Sequence, residues 1–399
     1  MFERLSPLPA DPILGLINAY NQDDNPNKVD LGVGVYKDEM GHTAVLQCVK
    51  TAEKWRNENE TSKVYIGPTG EAAFNQKINQ LIFGEHDVLA QDRVRTISTP
   101  GGTGSLRVAA EFIKSCNPQA TIWVSNPTWA NHQSLFDAAG VTVKSYPYYD
   151  YASHSLDFDG MLATLSEVKQ GDIVLLHACC HNPSGMDLSQ AQWQQITALA
   201  KQQGFTPLID MAYQGFGQGL DEDAYGPRLM ASELPEILLC SSCSKNFGLY
   251  RERIGGFTLV AQDSSHANTS LSVALSVVRG IYSMPPAHGA ALVSTILSDD
   301  ALTAQWHDEL AQMRERIAYN RHALVEKLKE HGVERDFSFI TRQSGMFSFL
   351  GITKEQVATL MNDYSIYMVD SSRISIAGIN KSNVDYLAKS IASVIKVPA

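Results

Sequence analysis

EILLCSSCSKNFGLYRERIG, residues 236–255, is the stretch on which the fold turns. An apolar run, Ile237 to Cys240, stops in small polar and thiol residues. Lys245 then appears among aromatic and apolar neighbours, Phe247 and Leu249, with Arg253 eight positions on. Such a run reads as a buried strand that ends abruptly. Four others read the same way: TIWVSNP (121–127), VTVKSYPYY (141–149), DIVLLHACCHNPSG (172–185) and FTPLIDMAY (205–213). Between them lie helix-length segments, SLRVAAEFIKSC (105–116), WANHQSLFDAAG (129–140) and SQAQWQQITALAKQQG (189–204), the last two closed by Gly140 and Gly204. Strands apolar on every residue and separated by helices predict an α/β domain with a mostly parallel sheet flanked by helices. Beyond residue 299 the pattern changes to one long amphipathic helix ending at Gly332, followed by mixed strand and helix. This tail is expected to form a smaller α+β domain with the N-terminal segment, so that both chain ends build it.

A chain of 399 residues with 44% hydrophobic content can bury a large core. Its net charge of -11 is spread without long runs of one sign, which argues against nucleic acid. No apolar segment approaches the roughly 18 residues of a membrane span, and the N-terminus has no signal-like run, so a cytoplasmic location is expected. Six cysteines in a chain this long fit free thiols in a reducing compartment.

Ligands of an open parallel sheet bind at the carboxyl ends of the strands. There the sequence places Thr99-Pro-Gly-Gly-Thr-Gly104 opening a helix, whose first amides are free to hold an anion. It also places Asn182 after His181, Asp210 with Tyr213 three residues on, and Ser242, Ser244 and Lys245. An anion cradle, an amide, a carboxylate, a phenol, an amine and a guanidinium are together the set that pyridoxal 5'-phosphate requires. Lys245 supplies the amine, and burial makes it lose its proton more readily. Asp210 keeps the pyridine nitrogen protonated, while Asn182 and Tyr213 hold the phenolate. Gly102, Thr103, Ser242 and Arg253 cradle the phosphate, and Trp129 lies on the ring face.

Each feature alone has a plainer reading. A lysine near a strand end is ordinarily a solvated charge, a Gly-rich turn is often a tight connection, and Asp210 could cap the next segment. Independent accidents at successive strand ends explain the set poorly. Cys240-Ser-Ser-Cys243 has no second pair at zinc-like spacing, and the histidines of His177-Ala-Cys-Cys-His181 are parted by strand alternation and the turn at Pro183, so no metal is expected. Ser242-x-x-Lys245 matches the serine acylase signature, whose SDN and KTG companions are absent. That acylase is the alternative from another class.

At these residues the chain resembles the fold type I pyridoxal phosphate enzymes, and more narrowly the aspartate and aromatic amino acid aminotransferases. The likeness runs from DPILGL (11–16) and LGVGVYKDEMG (31–41) through PGGTGSLR (100–107), SNPTWANH (125–132), HACCHNPSG (177–185), DMAYQGF (210–216), SSCSKNFGLYRERIGG (241–256) and YSMPPAHGA (282–290) to SSRISIAGIN (371–380). The resemblance implies an N-terminal arm and part of a small domain over 1–44, a large pyridoxal phosphate-binding domain over 45–312, and the rest of the small domain over 313–399. It implies that Lys245, Asp210 and Tyr213 are catalytic and that His132 supports Asp210. Arg373 would take the substrate α-carboxylate alongside Asn182, Trp129 and the backbone at Gly34. Tyr65 and Arg279 would be lent by the neighbouring subunit of a homodimer with shared sites, to the phosphate and to a side-chain carboxylate. The implied reaction is ping-pong transfer from L-aspartate to 2-oxoglutarate, with a tyrosine or phenylalanine aminotransferase as the alternative.

Overall fold

The computed structural model describes residues 2–7 and 12–396; Asp11, which opens the DPILGL motif, lies outside the described residues. Two compact units divide the chain: Ala44–Glu315, and a second made of the chain up to Thr43 together with the chain from Arg316 onward.

The larger unit is built on a seven-stranded sheet with the order Val94–Pro100, Ile254–Val260, Ile237–Ser242, Thr206–Met211, Ile173–His177, Thr121–Asn126, Thr142–Pro147. Only Ile254–Val260 runs antiparallel to its neighbours. Every residue of Ile173–His177, Ile237–Ser242 and Ile254–Val260 is buried, the state of strands covered on both faces. Helices Gly101–Cys116 and Ser264–Ile281 pack on the sheet, closing a core around Ile122, Leu175, Leu208 and Phe257. Local signals set the ends of several helices: Ser189 and Gln192 form a capping box ahead of Gln190–Gln203, which stops at Gly204 in the left-handed region.

Two boundaries near the site and one whole strand depart from the sequence reading. The strand expected to stop at Cys240 continues through Ser242, because Ser241 and Ser242 pair with Gly256 and Gly255 of the antiparallel strand. That antiparallel strand, Ile254–Val260, had no counterpart among the apolar runs, since Gly255-Gly256 reads as a break. The helix expected from Ser105 begins at Gly101, where a φ of +72° turns the chain straight out of the preceding strand.

The smaller unit pairs Val29–Asp30 with Ile366–Tyr367 in parallel and Phe347–Phe349 with Arg373–Ser375 in antiparallel fashion, beside helices Lys354–Tyr364 and Val384–Lys396. It is α+β and drawn from both chain ends. The long helix Asp300–Glu330 contributes its second half to this unit.

Candidate active site

Strand register aligns the chemistry. His177, Asp210 and Cys240 are direct partners across three adjacent parallel strands, so Asp210 sits at the carboxyl end of the middle one. Its Oδ2 lies 3.1 Å from Nε2 of the fully buried His132. Burial by itself would raise the Asp210 pKa; the His132 hydrogen bond first, and then the neighbouring charges of His132 and Lys245, outweigh it and hold the carboxyl below its ordinary range. Asp210 is therefore an anion kept in a nearly dry place.

Support for that anion runs further than the sequence reading reached. Thr128 Oγ1 lies 2.7 Å from His132 Nδ1 and 3.5 Å from His177 Nε2, and His177 Nδ1 accepts the backbone N–H of Asn182 at 3.3 Å. Burial, helped by the charge of His132 and opposed by that of Asp210, pushes the His177 pKa down to about 4, so its imidazole is neutral and can accept that bond. His177, first weighed as a metal ligand, thus ties Asn182 to the Asp210 network. His132, His177 and Asp210 do bring their ligand atoms within 4.8 Å of one another, but both ring nitrogens of each histidine and Oδ2 of Asp210 are engaged in this chain of hydrogen bonds. Thr128 lies just ahead of the helix Asn131–Ala138 that carries His132, and a hydroxyl four residues before that histidine is the signal that could have found it.

Lys245 follows the neighbouring strand in a buried turn. Burial first, and the charge of Arg253 second, push its pKa down to about 8, with Asp210 pulling the other way. Its Nζ stands 4.7 Å from the centre of the Tyr213 ring, and Tyr213 is itself buried. Lys245 and Asp210 are thus close enough to perturb each other's ionisation without an intervening salt bridge among the described residues. Asn182 is buried, and its Oδ1 has no hydrogen-bond partner. Trp129 is half-buried and meets the His132 ring edge-on at 5.2 Å.

Beside this cluster the helix Gly101–Cys116 starts with no side chain capping its first amides, those of Gly102 and Thr103 among them. A Cβ at Gly101 would stand 2.5 Å from Arg253 Nη2, and one at Gly102 would stand 3.1 Å from Ser242 Cβ. The helix start, the Ser242 hydroxyl and the Arg253 guanidinium therefore converge. Glycine at 255 permits that approach, since a Cβ there would lie 2.5 Å from the Ser241 carbonyl oxygen and 2.6 Å from the Gly101 carbonyl carbon. Both obstacles are backbone. Gly255→Ala is expected to lower stability by about 2 kcal/mol or more, measured by urea unfolding, because neither chain can give way cheaply.

The Ser242 hydroxyl bonds to Ser244 Oγ at 3.2 Å and accepts the Ser244 amide at 3.3 Å. No hydrogen bond between Ser242 and Lys245 occurs among the described residues, which removes the nucleophile and base contact an acylase needs. Cys240 and Cys243 are both free and buried.

In the smaller unit, Arg373 Nη2 donates to the Gly32 carbonyl at 2.7 Å, and its guanidinium lies 4.4 Å from the centre of the Phe347 ring. Gly34 packs against that ring too closely for a Cβ, which would be 2.5 Å from Phe347 Cζ. Tyr65 and Arg279 stand apart on the surface of the larger unit: Tyr65 is 88% exposed, and Arg279 bonds through Nη1 to Ser283 Oγ.

Comparison with known proteins agrees with this arrangement. The family model for aminotransferase class I and II matches residues 26–391. Over 396 residues the chain is 49% identical to the aspartate aminotransferase of Haemophilus influenzae, spanning 99% of this chain and 100% of that protein. It is 47% identical over 394 residues to the aromatic-amino-acid aminotransferase of Pseudomonas aeruginosa, spanning 98% of each. Among solved structures, the Burkholderia pseudomallei aromatic-amino-acid aminotransferase covalently bound to pyridoxal phosphate matches with a TM-score of 0.98 at 44% identity, covering 99% of this chain and 100% of that one. A half-buried amine and a half-buried anion at adjacent strand ends, on a fold shared along nearly the whole chain with these enzymes, lead to one conclusion: this protein belongs to the class I and II aminotransferases.

Proposed function

We propose that the chain works with pyridoxal 5'-phosphate and transfers the amino group of L-aspartate to 2-oxoglutarate, giving oxaloacetate and L-glutamate. The observation that carries this reading is the pair formed by Lys245, with its pKa pushed down to about 8, and Asp210, held as an anion by His132.

The residues fit the cofactor. The orphaned Asn182 Oδ1 and the uncapped helix start are polar groups lacking partners, and the glycines at 101 and 102 leave space beside Arg253 and Ser242 that a side chain would fill. Gly102, Thr103, Ser242 and Arg253 would hold the phosphate, Asn182 and Tyr213 the phenolate oxygen, and Asp210 the ring nitrogen, with Trp129 against the ring. When bound, the cofactor supplies an electron sink for the pair left when the substrate Cα–H bond breaks.

The chain's own part is proton handling and orientation. Lys245 Nζ, neutral in a substantial fraction of molecules near pH 8, takes the Cα proton and returns it one position along. Arg373 fixes the substrate α-carboxylate, with the Gly34 backbone beside it. The cycle is ping-pong: aspartate enters and oxaloacetate leaves, then 2-oxoglutarate enters and glutamate leaves.

A homodimer follows from the same reading, because exposed Tyr65 and Arg279 have the reach and chemistry to serve a second copy's phosphate and side-chain carboxylate sites. Among the described residues no helix is long and apolar enough to cross a membrane, and the six free cysteines accord with a cytoplasmic location. Arg279→Leu should lower kcat/KM for aspartate on the order of a hundredfold and for phenylalanine by less than about tenfold. Equal losses for the two would contradict the role given to Arg279.

The second reading, an aromatic aminotransferase, draws on Val64 and Ile281, large apolar residues exposed beside Tyr65 and Arg279. A comparison of kcat/KM for aspartate, tyrosine and phenylalanine with 2-oxoglutarate separates the two. Aspartate leading by about tenfold or more supports the first; an aromatic substrate in the lead overturns it.

A further inference from the structure

Within the smaller unit, one helix turn organises three separate loops. Arg321 on Asp300–Glu330 is 2% exposed, yet its guanidinium donates from Nη1 to the Ile340 carbonyl at 3.0 Å, and from Nη2 to the carbonyls of Ser344 at 3.0 Å, Gly345 at 2.7 Å and Phe347 at 2.7 Å. Arg316, five residues before it, and Asn320, its immediate neighbour, take the carbonyls of Lys37, Asp38, Ile376 and Ile379. These bonds bracket Gly34, Phe347 and Arg373.

Arg321 reaches the most consequential of the three. Phe347 is the residue whose ring touches both Gly34 and the Arg373 guanidinium, and its own carbonyl is among the four that Arg321 holds. Phe349 is the direct cross-strand partner of Arg373, so this short strand sets the arginine's backbone as well as the surface it lies on. Arg373 Nη2 is committed to the Gly32 carbonyl, and the face of its guanidinium lies on the Phe347 ring, so the position of that ring bears on how the guanidinium is presented. A planar guanidinium can serve several acceptors in a fixed fork, whereas an ammonium is a point donor on a flexible stem.

We infer that Arg321 is a positioning residue for the carboxylate subsite: by fixing the segment 340–347 it sets the Phe347 ring, which aligns Arg373. The inference rests on the reading that Arg373 takes the substrate carboxylate.

Arg321→Lys is expected to raise KM for aspartate and for 2-oxoglutarate, and to weaken succinate binding to the holoenzyme in calorimetric titration, by about tenfold or more. The change in kcat should be smaller, and retention of pyridoxal phosphate should not change. Phe347→Leu should reproduce the KM effect with Arg321 intact, and it carries the test alone if the lysine variant does not fold. The two substitutions together should cost less than the product of their separate effects.

Arg93 provides the comparison for a purely structural role, since it holds the carbonyls of Ala231, Leu234 and Ala261 in the larger unit. Arg93→Lys should lower the unfolding temperature and leave KM alone. Succinate affinity in the Arg321 and Phe347 variants within about twofold of the parent, or a KM shift in Arg93→Lys as large as in Arg321→Lys, overturns the proposal. Arg373→Lys distinguishes the two levels of failure: unchanged KM and succinate binding there removes the reading of Arg373 itself.

Discussion

Lys245→Ala will lower the rate of amino transfer by about ten-thousand-fold while the protein stays folded and still takes up pyridoxal phosphate through Asp210, Asn182, Ser242 and Arg253. The size of the effect follows from the absence of a substitute base. The Ser242 hydroxyl is occupied with Ser244, the Tyr213 phenol is buried, and the imidazoles of His132 and His177 are tied into the network beneath Asp210. Borohydride treatment of the loaded parent protein should add the mass of reduced cofactor to the peptide containing Lys245, and should add none in the variant. A variant retaining more than about a hundredth of the parent rate would show that another group moves the proton.

The same substitution has a stability signature in the cofactor-free protein. Lys245 titrates at about 8 when folded and near 10.5 when unfolded, so the unfolded chain holds more protons between those values. Stability therefore rises with pH through that window. The burden of burying an ammonium is fully present below pH 8 and is relieved above 10.5, a difference of roughly 3 kcal/mol at most. Urea unfolding of parent and Lys245→Ala at several pH values should show the parent alone gaining stability from this source as pH climbs. A constant difference between the two would contradict the depressed pKa.

How much of this was legible beforehand depended on whether a residue's role was local. Strands such as Ile173–His177 announced themselves because four apolar residues in a row, Ile173 to Leu176, favour burial on both faces, and each ended in turn-forming residues. Asp210 stood out as a charge directly after an apolar run, and Lys245 as a charge among apolar neighbours a few residues beyond one; each requires an explanation. Ile254–Val260 was invisible because its glycines serve a contact with Ser241 and Gly101, distant in sequence, and glycine in a strand reads as interruption until that contact is known. Thr128 and His177 were missed as supports because their link to Asp210 runs across three strands. Arg321 gave no signal, since an arginine among the charges of a long helix looks solvated until its four carbonyl partners are seen.

Asp210→Asn should lower kcat/KM roughly a thousandfold, second only to loss of Lys245. The substitution is nearly isosteric, and an amide oxygen can still accept from His132, so packing and the His132 contact survive; what disappears is one negative charge. Two consequences reinforce each other. The cofactor's ring nitrogen loses the partner that favours its protonated form, and Lys245 loses the charge that now pulls its pKa upward, which moves its titration further below 8. Stability responds far less. Because the folded state holds the Asp210 pKa below its ordinary value, the ionised carboxylate contributes stability above the unfolded pKa of about 3.8, and that contribution is lost as pH falls through the lower folded value. The asparagine variant should therefore be modestly less stable than the parent at neutral pH, with the gap narrowing in acid. Asp210→Glu, which keeps the charge and displaces it by one methylene, should recover part of the activity and little of the stability. A role confined to packing predicts the reverse ranking, with glutamate the worse replacement because it overfills a buried site. Kinetics and urea unfolding on the two variants separate these rankings, and asparagine within a few fold of the parent rate would mean the charge at 210 is not what drives the chemistry.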